Sequence, residues 1–196
     1  MRPAAGKDVR QQILDASLEL LKTEGLQGLS MREVARRAGV SHQAPYHHFP
    51  EREAILAELA RDGFSTLLEY MKSAKGETQD SLMISMGTAY IRFAMEHPEQ
   101  FRLMFRSEMC DLERYPTAHA AAEATFGLLV DTVTKGAGEQ EPMDTARIMA
   151  CWSMAHGLAT LLLDGKGIKH LGEPGPAQEQ LIRGVLSVLA KGVQNS

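Results

Sequence analysis

The side chains best suited to specific hydrogen bonding are concentrated between residues 41 and 47. They are Ser41, His42, Gln43, Tyr46 and His47. A glutamine such as Gln43 can pair with adenine through two hydrogen bonds, and the small apolar groups of Ala44 and Pro45 can pack on a thymine methyl. This chemistry indicates recognition of base edges and phosphates rather than catalysis.

These residues lie on a short helix predicted at 42–49, in the second half of a helix-turn-helix pattern. Ser30, followed by Glu33 three residues later, is a capping-box signal for a helix at 31–38, which Gly39 ends. Ser41 is the predicted cap of the next helix, and Pro45 is tolerated in its first turn. That helix holds almost no core residues, so we expect it to be displayed. In a helix-turn-helix the displayed second helix docks in the DNA major groove.

The rest of the chain predicts helices only, because no segment alternates polar and apolar residues as a strand does. The other predicted helices cover 7–23, 51–72, 81–96, 99–107, 117–135, 143–163 and 177–193. Gly25 is predicted to end the first helix in a left-handed cap. The helix at 81–96 is apolar around more than half its circumference, which predicts a central place in a bundle. The predicted fold is all-α, with a three-helix N-terminal domain at 1–52 joined by the long helix at 51–72 to a larger helical domain at 53–196.

Composition and charge fit a globular, intracellular protein. The chain is 44% hydrophobic with a net charge of −4, but residues 1–52 hold 8 Lys/Arg against 6 Asp/Glu, so the basic excess is N-terminal. Cys110 and Cys151 are interpreted as buried free thiols. The longest uncharged run, 148–163, is shorter than the ~20 apolar residues of a membrane span, and no signal-peptide core is visible. We therefore expect a cytoplasmic protein without a membrane partner.

The segment from residue 9 to 56 resembles the DNA-binding domain of the TetR family of bacterial transcriptional regulators. The matching residues are Arg10-x-x-Ile13-Leu14-x-Ala16, Gly25, Val34-Ala35-x-x-Ala38-Gly39-Val40-Ser41, Tyr46-x-His48-Phe49 and Arg52-Glu53. Two positions depart from the family pattern. Gln43-Ala44-Pro45 stands where a small residue is followed by Thr, Leu or Ile, and Arg52 replaces the usual lysine. The first departure concerns the operator sequence, whereas arginine still binds phosphate.

The second half of the chain resembles the subgroup with a Trp-His-Gly signature. The matching residues are Trp152-x-x-x-His156-Gly157 and His97-Pro98-Glu99-x-Phe101-Arg102-x-Met104-Phe105. This resemblance implies a small-molecule pocket among the C-terminal helices. It also implies a homodimer formed by the last two helices, with close approach at Gly157, Ala159, Gly184 and Gly192. The methionine and aromatic content favours an apolar or aromatic effector. The predicted lining residues are Met83, Met86, Tyr90, Phe93, Met104, Phe105, Phe126, Met149, Trp152 and His156.

Position and chemistry assign roles within the N-terminal domain. Phosphate contacts position such a module, and base contacts specify sequence. We assign base edges to His42 and Gln43, and phosphates to Ser30, Tyr46, His47 and Arg52. Arg32, Arg36 and Arg37 supply positive charge nearby, although Arg36 and Arg37 also fit a solvated face. Tyr46 and His48 alternatively link the third helix to the fourth, and Phe49 is a core residue.

The resulting prediction is a repressor that binds a palindromic operator as a dimer and is released when an effector tilts the 51–72 helix. An activator, or a protein-interaction module without an effector, is the alternative. An enzyme is not expected, because no nucleophile motif or phosphate-binding glycine loop is present. No cofactor is predicted. His42, His47 and His48 do not form a metal site, because adjacent histidines rarely converge on one ion without a third suitably spaced ligand.

Overall fold

The computed structural model describes residues 8–106, 111–134, 142–165 and 175–193. Within these ranges the chain forms nine α-helices and no strand. The helices are α1 (Val9–Gly28), α2 (Met31–Ala38), α3 (Ala44–His48), α4 (Arg52–Lys72), α5 (Gln79–Glu96), α6 (Pro98–Met104), α7 (Pro116–Thr134), α8 (Pro142–Asp164) and α9 (Pro176–Val193). The all-α prediction is confirmed, and every helix predicted from the sequence is found. Most of the loops predicted at 136–142 and 165–176, together with Cys110, lie outside the described residues.

Two helix ends differ from the prediction for local reasons. Gly25 adopts φ 67° and ψ −172°, which breaks α1 without the predicted left-handed cap, and one more helical turn follows to Gly28. α3 begins at Ala44 rather than residue 42, and Gln43, not Ser41, precedes its first residue without a side-chain cap. Phe49 is extended at φ −135° because the following Pro50 disfavours helical backbone there.

The chain divides into two compact units. Unit 1 consists of Met1–Phe64 and Glu99–Ala122, and unit 2 consists of Ser65–Pro98 and Glu123–Ser196. The domain boundary between residues 52 and 53 stays a prediction.

In unit 1, α1, α2 and α3 pack on one another. Their fully buried side chains include Ile13, Leu20 and Val34, and Phe49 is only 3% exposed, as its predicted core role requires. The same unit contains the first half of α4, α6, a turn of 3₁₀ helix at Leu112–Arg114 and the start of α7. Sequence periodicity did not predict the 3₁₀ turn, because three residues are too few to show a period.

In unit 2, α5 packs against both α8 and α9, so the predicted central position of this helix is confirmed. Phe93 and Ile91 on α5 are fully buried. Gln79 at the start of α5 donates hydrogen bonds to the carbonyls of Thr132 (3.1 Å) and Val133 (3.0 Å) at the end of α7. These bonds satisfy carbonyls that the helix end leaves without an intrahelical partner.

Candidate nucleic-acid interface

The turn between α2 and α3 has the local geometry that a helix-turn-helix requires. Ser30 caps α2 by accepting a hydrogen bond from the Glu33 N–H at 3.2 Å. Gly39 ends α2 at φ 69°, a left-handed conformation that glycine adopts without steric cost. The Glu33 side chain does not complete the predicted capping box but is hydrogen-bonded to the Arg36 guanidinium. Only half of that box is therefore formed.

α3 presents most of its side chains to solvent. The exposed residues of the turn and helix are Ser41, His42, Gln43, Tyr46, His47 and His48. Tyr46 is 47% exposed, although a tyrosine usually buries most of its ring. His42 stacks on Tyr46 with ring centroids 6.4 Å apart and an interplanar angle of 29°. The predicted display of this helix is confirmed.

The arginines of α2 differ in what they contact. Arg37 forms ion pairs with Glu19 on α1 at 3.0 Å and with Glu24, so its charge is directed toward α1. The hydrogen bond from Arg36 holds the pKa of Glu33 below its ordinary value. Arg32 is exposed and has no ion-pair partner among the residues that the structure describes. Arg32 therefore keeps its guanidinium donors available for a phosphate.

An open surface groove of about 320 Å³ connects α2 to the start of α3. Its lining residues are Ser30, Arg32, Glu33, Ala35, Arg36, Val40 and His42. The groove brings together Ser30, Arg32 and His42, three of the residues assigned to DNA from the sequence.

Two of the assigned residues are not displayed with the others. Pro45, in the first turn of α3, is fully buried, so the structure does not present its ring to a base. Ala44 is half-buried. Arg52 is half-buried and donates from Nε to the Leu29 carbonyl at 2.6 Å and from Nη2 to the Leu26 carbonyl at 2.7 Å. These bonds join the start of α4 to the end of α1. Sequence reasoning missed this role because the partners are backbone atoms more than twenty positions away.

The residues predicted to line an effector pocket do not all lie together. Met104 and Phe105 belong to unit 1, where Met104 packs beside Gly63 and Phe105 makes an edge contact with Phe64 at 5.7 Å. The other eight belong to unit 2. Met86 and Phe93 are buried, Met83 is half-buried, and Met149 is 44% exposed.

Hydrogen bonds and one aromatic contact join four of those residues within unit 2. The Tyr90 hydroxyl is 2.8 Å from Nδ1 of His156 and accepts a hydrogen bond from Trp152, whose indole N–H is a donor only. Trp152 also contacts Phe126 edge-on, with ring centroids 5.7 Å apart. Burial lowers the pKa of His156 and raises that of Tyr90, so both side chains are neutral near pH 7. The hydrogen bond between Tyr90 and His156 therefore joins two neutral groups.

α8 and α9 leave apolar side chains uncovered. Leu161 is 52% exposed and Val188 is 70% exposed. A Cβ added at Gly157 or Gly184 would meet no atom within 4 Å among the described residues. Ala159 is fully buried, so it cannot also lie on an open face, and the surroundings of Gly192 lie outside the described residues.

The helical segment Asp144–Asp164 is, by length and composition alone, long and apolar enough to cross a membrane. The uncharged run within it, 148–163, is nevertheless shorter than the ~20 apolar residues of a typical span. Only 22% of the apolar stretch within this segment is buried in this chain. Cys151, near its middle, is half-buried rather than fully buried as predicted, and burial raises the pKa of its thiol. Poor burial of so apolar a helix is a property of interface helices as well as of membrane spans.

Comparisons with known proteins agree with this architecture. Residues 13–59 match the family model for bacterial regulatory proteins of the tetR family, and residues 83–185 match the tetracyclin repressor-like C-terminal domain. The uncharacterized HTH-type transcriptional regulator YobS of Bacillus subtilis is 34% identical over 99 residues, covering 50% of this chain and 51% of its own. The tetracycline repressor protein class D of Escherichia coli is 28% identical over 88 residues, covering 45% and 40% of the two chains.

A solved structure of a protein of unknown function from Rhodococcus sp. RHA1 aligns with a TM-score of 0.80 at 27% identity, covering 98% of both chains. The chain spans about half the length of the curated relatives it matches. The C-terminal family model alone covers more than half of the chain, and the N-terminal model covers the helix-turn-helix. The protein belongs to the TetR family of bacterial transcriptional regulators.

Proposed function

We propose that the protein is a ligand-responsive repressor that binds a palindromic operator as a homodimer in the cytoplasm. The observation that carries this proposal is the exposed surface of α3 and of the turn before it, where His42, Gln43, Tyr46 and His47 are displayed and no core role explains them. One such helix contacts only a few base pairs. Two copies related by a two-fold axis read two half-sites about 34–36 Å apart, which gives the affinity that one copy lacks.

For base contacts we propose His42 and Gln43, with Ala44 beside them at a thymine methyl. For phosphates we propose Ser30, Arg32, Tyr46 and His47, because the groove between α2 and α3 brings Ser30 and Arg32 to the same surface. Ser41, which is exposed in the turn before α3, completes the proposed DNA-binding set. Arg52 acts indirectly, through the backbone carbonyls that it binds.

The uncovered faces of α8 and α9 support the homodimer. Exposed Leu161 and Val188, and the open space at Gly157 and Gly184, fit helices that pack against the same helices of a second copy. Covering the apolar segment Asp144–Asp164 in this way also accounts for its low burial without a membrane.

The Tyr90–Trp152–His156 network supports membership of the Trp-His-Gly subgroup and an effector site beside it. Trp152 and His156 are four residues apart and so share one face of α8, and both meet Tyr90 of α5. With Phe126 at its edge, this cluster offers aromatic surface and neutral polar groups, which suit an apolar or aromatic effector rather than an ion. We place Met83, Met86, Phe93 and Met149 nearby as packing residues.

The test is a gel shift and footprint with DNA from around the gene itself, using wild type and three variants. Gln43→Ala removes a base contact, which is worth about 1–3 kcal/mol of discrimination at one base pair. Tyr46→Phe removes a phosphate contact and should weaken binding to all sequences alike. Gln11→Ala is the matched control, because Gln11 is exposed on α1 and bonds only Asp15 among the described residues.

A palindromic footprint that Gln43→Ala alters and Gln11→Ala leaves intact supports the repressor. If the footprint forms but the bound protein recruits polymerase, the protein is an activator. Equal, salt-sensitive binding of every variant to every DNA would favour the interaction module and refute sequence recognition by α3.

A further inference from the structure

Glu51, at the junction between α3 and α4, is held by two side chains from a distant part of unit 1. Its Oε1 accepts a hydrogen bond from the Tyr115 hydroxyl at 2.7 Å and another from Arg114 Nη2 at 3.1 Å. Glu51 lies two residues after Phe49, and the Phe49 N–H is bonded to the Pro45 carbonyl inside α3 at 2.8 Å. A force on Glu51 therefore reaches the displayed helix through Pro50, whose ring restricts the backbone, and the buried Phe49.

The element that presents Tyr115 is itself well ordered by local bonds. Asp111 caps the 3₁₀ turn by accepting from the Glu113 N–H at 3.1 Å. The Tyr115 N–H donates to the Leu112 carbonyl at 2.9 Å, and the Tyr115 carbonyl accepts from the N–H groups of Ala118 and His119 in the first turn of α7, both at 3.0 Å. Tyr115 thus connects the 3₁₀ turn to α7, and its hydroxyl is held in place toward Glu51.

The neighbouring residue, Arg52, is bonded in another direction. Its guanidinium donates to the carbonyls of Leu26 and Leu29 at the end of α1. Residues 51 and 52 therefore tie the start of α4 to two separate parts of unit 1. With only the bonds of Arg52, the junction between α3 and α4 could still rotate about its contact with α1. The second attachment, at Glu51, restricts that rotation.

We propose that Tyr115 is a positioning residue for DNA recognition, acting through its hydrogen bond to Glu51. The inference rests on the proposed operator binding, because it concerns how α3 is aimed. A dimer must present two recognition helices at a fixed spacing, so a small rotation of the junction lowers operator affinity. Binding to unrelated DNA depends on charge and tolerates such a rotation.

The test is Tyr115→Phe, which removes one hydroxyl and changes no charge. Tyr70→Phe is the matched control, because the Tyr70 hydroxyl also donates to a carboxylate, that of Glu96, but within unit 2. In the free protein, Tyr115→Phe should speed hydrogen exchange of amides 44–54, and Tyr70→Phe should not. Operator affinity should fall about five- to tenfold, the net value of one typical intramolecular hydrogen bond, with unrelated-DNA affinity unchanged.

Glu51 variants provide a rescue that a general loss of stability would not show. Glu51→Gln keeps an oxygen that accepts from Tyr115, whereas Glu51→Ala does not. Both variants remove a negative charge, which changes the affinity for any DNA. The ratio of operator affinity to unrelated-DNA affinity cancels this common effect. We expect Glu51→Gln to keep at least half of the wild-type ratio and Glu51→Ala to match Tyr115→Phe.

Three outcomes would overturn the proposed role of Tyr115. Unchanged hydrogen exchange of amides 44–54 in Tyr115→Phe overturns the proposal, whether or not the wild type binds an operator. Failure of the wild type to bind any operator refutes the proposed function instead. Faster exchange with an unaltered affinity ratio shows that the contact is structural only and also overturns it. An equal loss of the ratio in Glu51→Gln and Glu51→Ala assigns the effect to the carboxylate charge rather than to Tyr115.

Discussion

Replacing Arg52 by methionine separates a structural role from a phosphate contact. Arg52 donates two hydrogen bonds, at 2.6 Å to the Leu29 carbonyl and at 2.7 Å to the Leu26 carbonyl, which also accepts from the Leu29 N–H at 3.4 Å. A bond from a charged donor contributes about 1.5–3 kcal/mol when buried; for a half-buried arginine we take about 1 kcal/mol each. We therefore expect Arg52→Met to lower the free energy of unfolding by about 2 kcal/mol, or the Tm by about 4–8 °C.

The assay combines urea denaturation with salt-dependent binding to an unrelated DNA duplex. Losing one phosphate contact lowers the slope of log affinity against log salt by about 0.9. Arg52→Met should leave this slope unchanged. Arg32→Met is the matched control. It should lower the slope and leave the free energy of unfolding unchanged, because Arg32 is exposed and lacks an ion-pair partner among the described residues.

Arg52→Lys refines the test, because an ammonium reaches only one of the two carbonyls well and should lose about half as much stability. A slope reduced in Arg52→Met as much as in Arg32→Met, with unfolding unchanged, would refute the structural role. In that case Arg52 turns toward DNA in solution, as the family resemblance implies.

Three further outcomes are expected. Because burial lowers the pKa of His156, the unfolded state takes up this proton first as the pH falls, so the free energy of unfolding should decrease below about pH 6.5; urea titrations from pH 8 to 5 should show a smaller decrease in His156→Gln. Val188→Glu should convert a dimer to folded monomers in sedimentation velocity, while Val9→Glu, at another exposed valine, should remain dimeric. Gly39→Ala should cost about 1 kcal/mol of unfolding free energy because of its positive φ, and Gly25→Ala should cost more, because φ 67° with ψ −172° is nearly restricted to glycine.

Helix positions were predictable because their signals are local. Ser30, Gly39 and Pro50 act on amides, carbonyls and φ angles within a few residues, and α2 has the bounds that its caps predict. α5 was placed at the centre of its bundle because a helix apolar on most sides needs partners on most sides. The error at Gly25 has the same origin, since a glycine signals a break without specifying which positive-φ conformation follows.

Partners of polar side chains were not predictable, because they are set by packing between distant segments. Glu51 and Tyr115 are 64 positions apart, and Arg52 binds carbonyls 23 and 26 positions away. Tyr90 and His156 were both named from the sequence, yet nothing in the sequence placed one hydroxyl within 2.8 Å of one ring nitrogen. The predicted effector lining is divided between two units for the same reason.

The arginines of α2 show how tertiary contacts select the residues left for DNA. Arg32 and Arg37 are five positions apart, so they point to nearly opposite sides of the helix. The side bearing Arg37 meets the glutamates of α1, and its charge is neutralised there. Arg32 instead faces the groove with Ser30 and His42. Arg36 lies on that same side, but its exposed pair with Glu33 is of the weak kind that a phosphate can replace. Folding thus neutralises Arg37 against α1 and leaves the remaining positive charge of α2 on the side that bears Arg32 and Arg36.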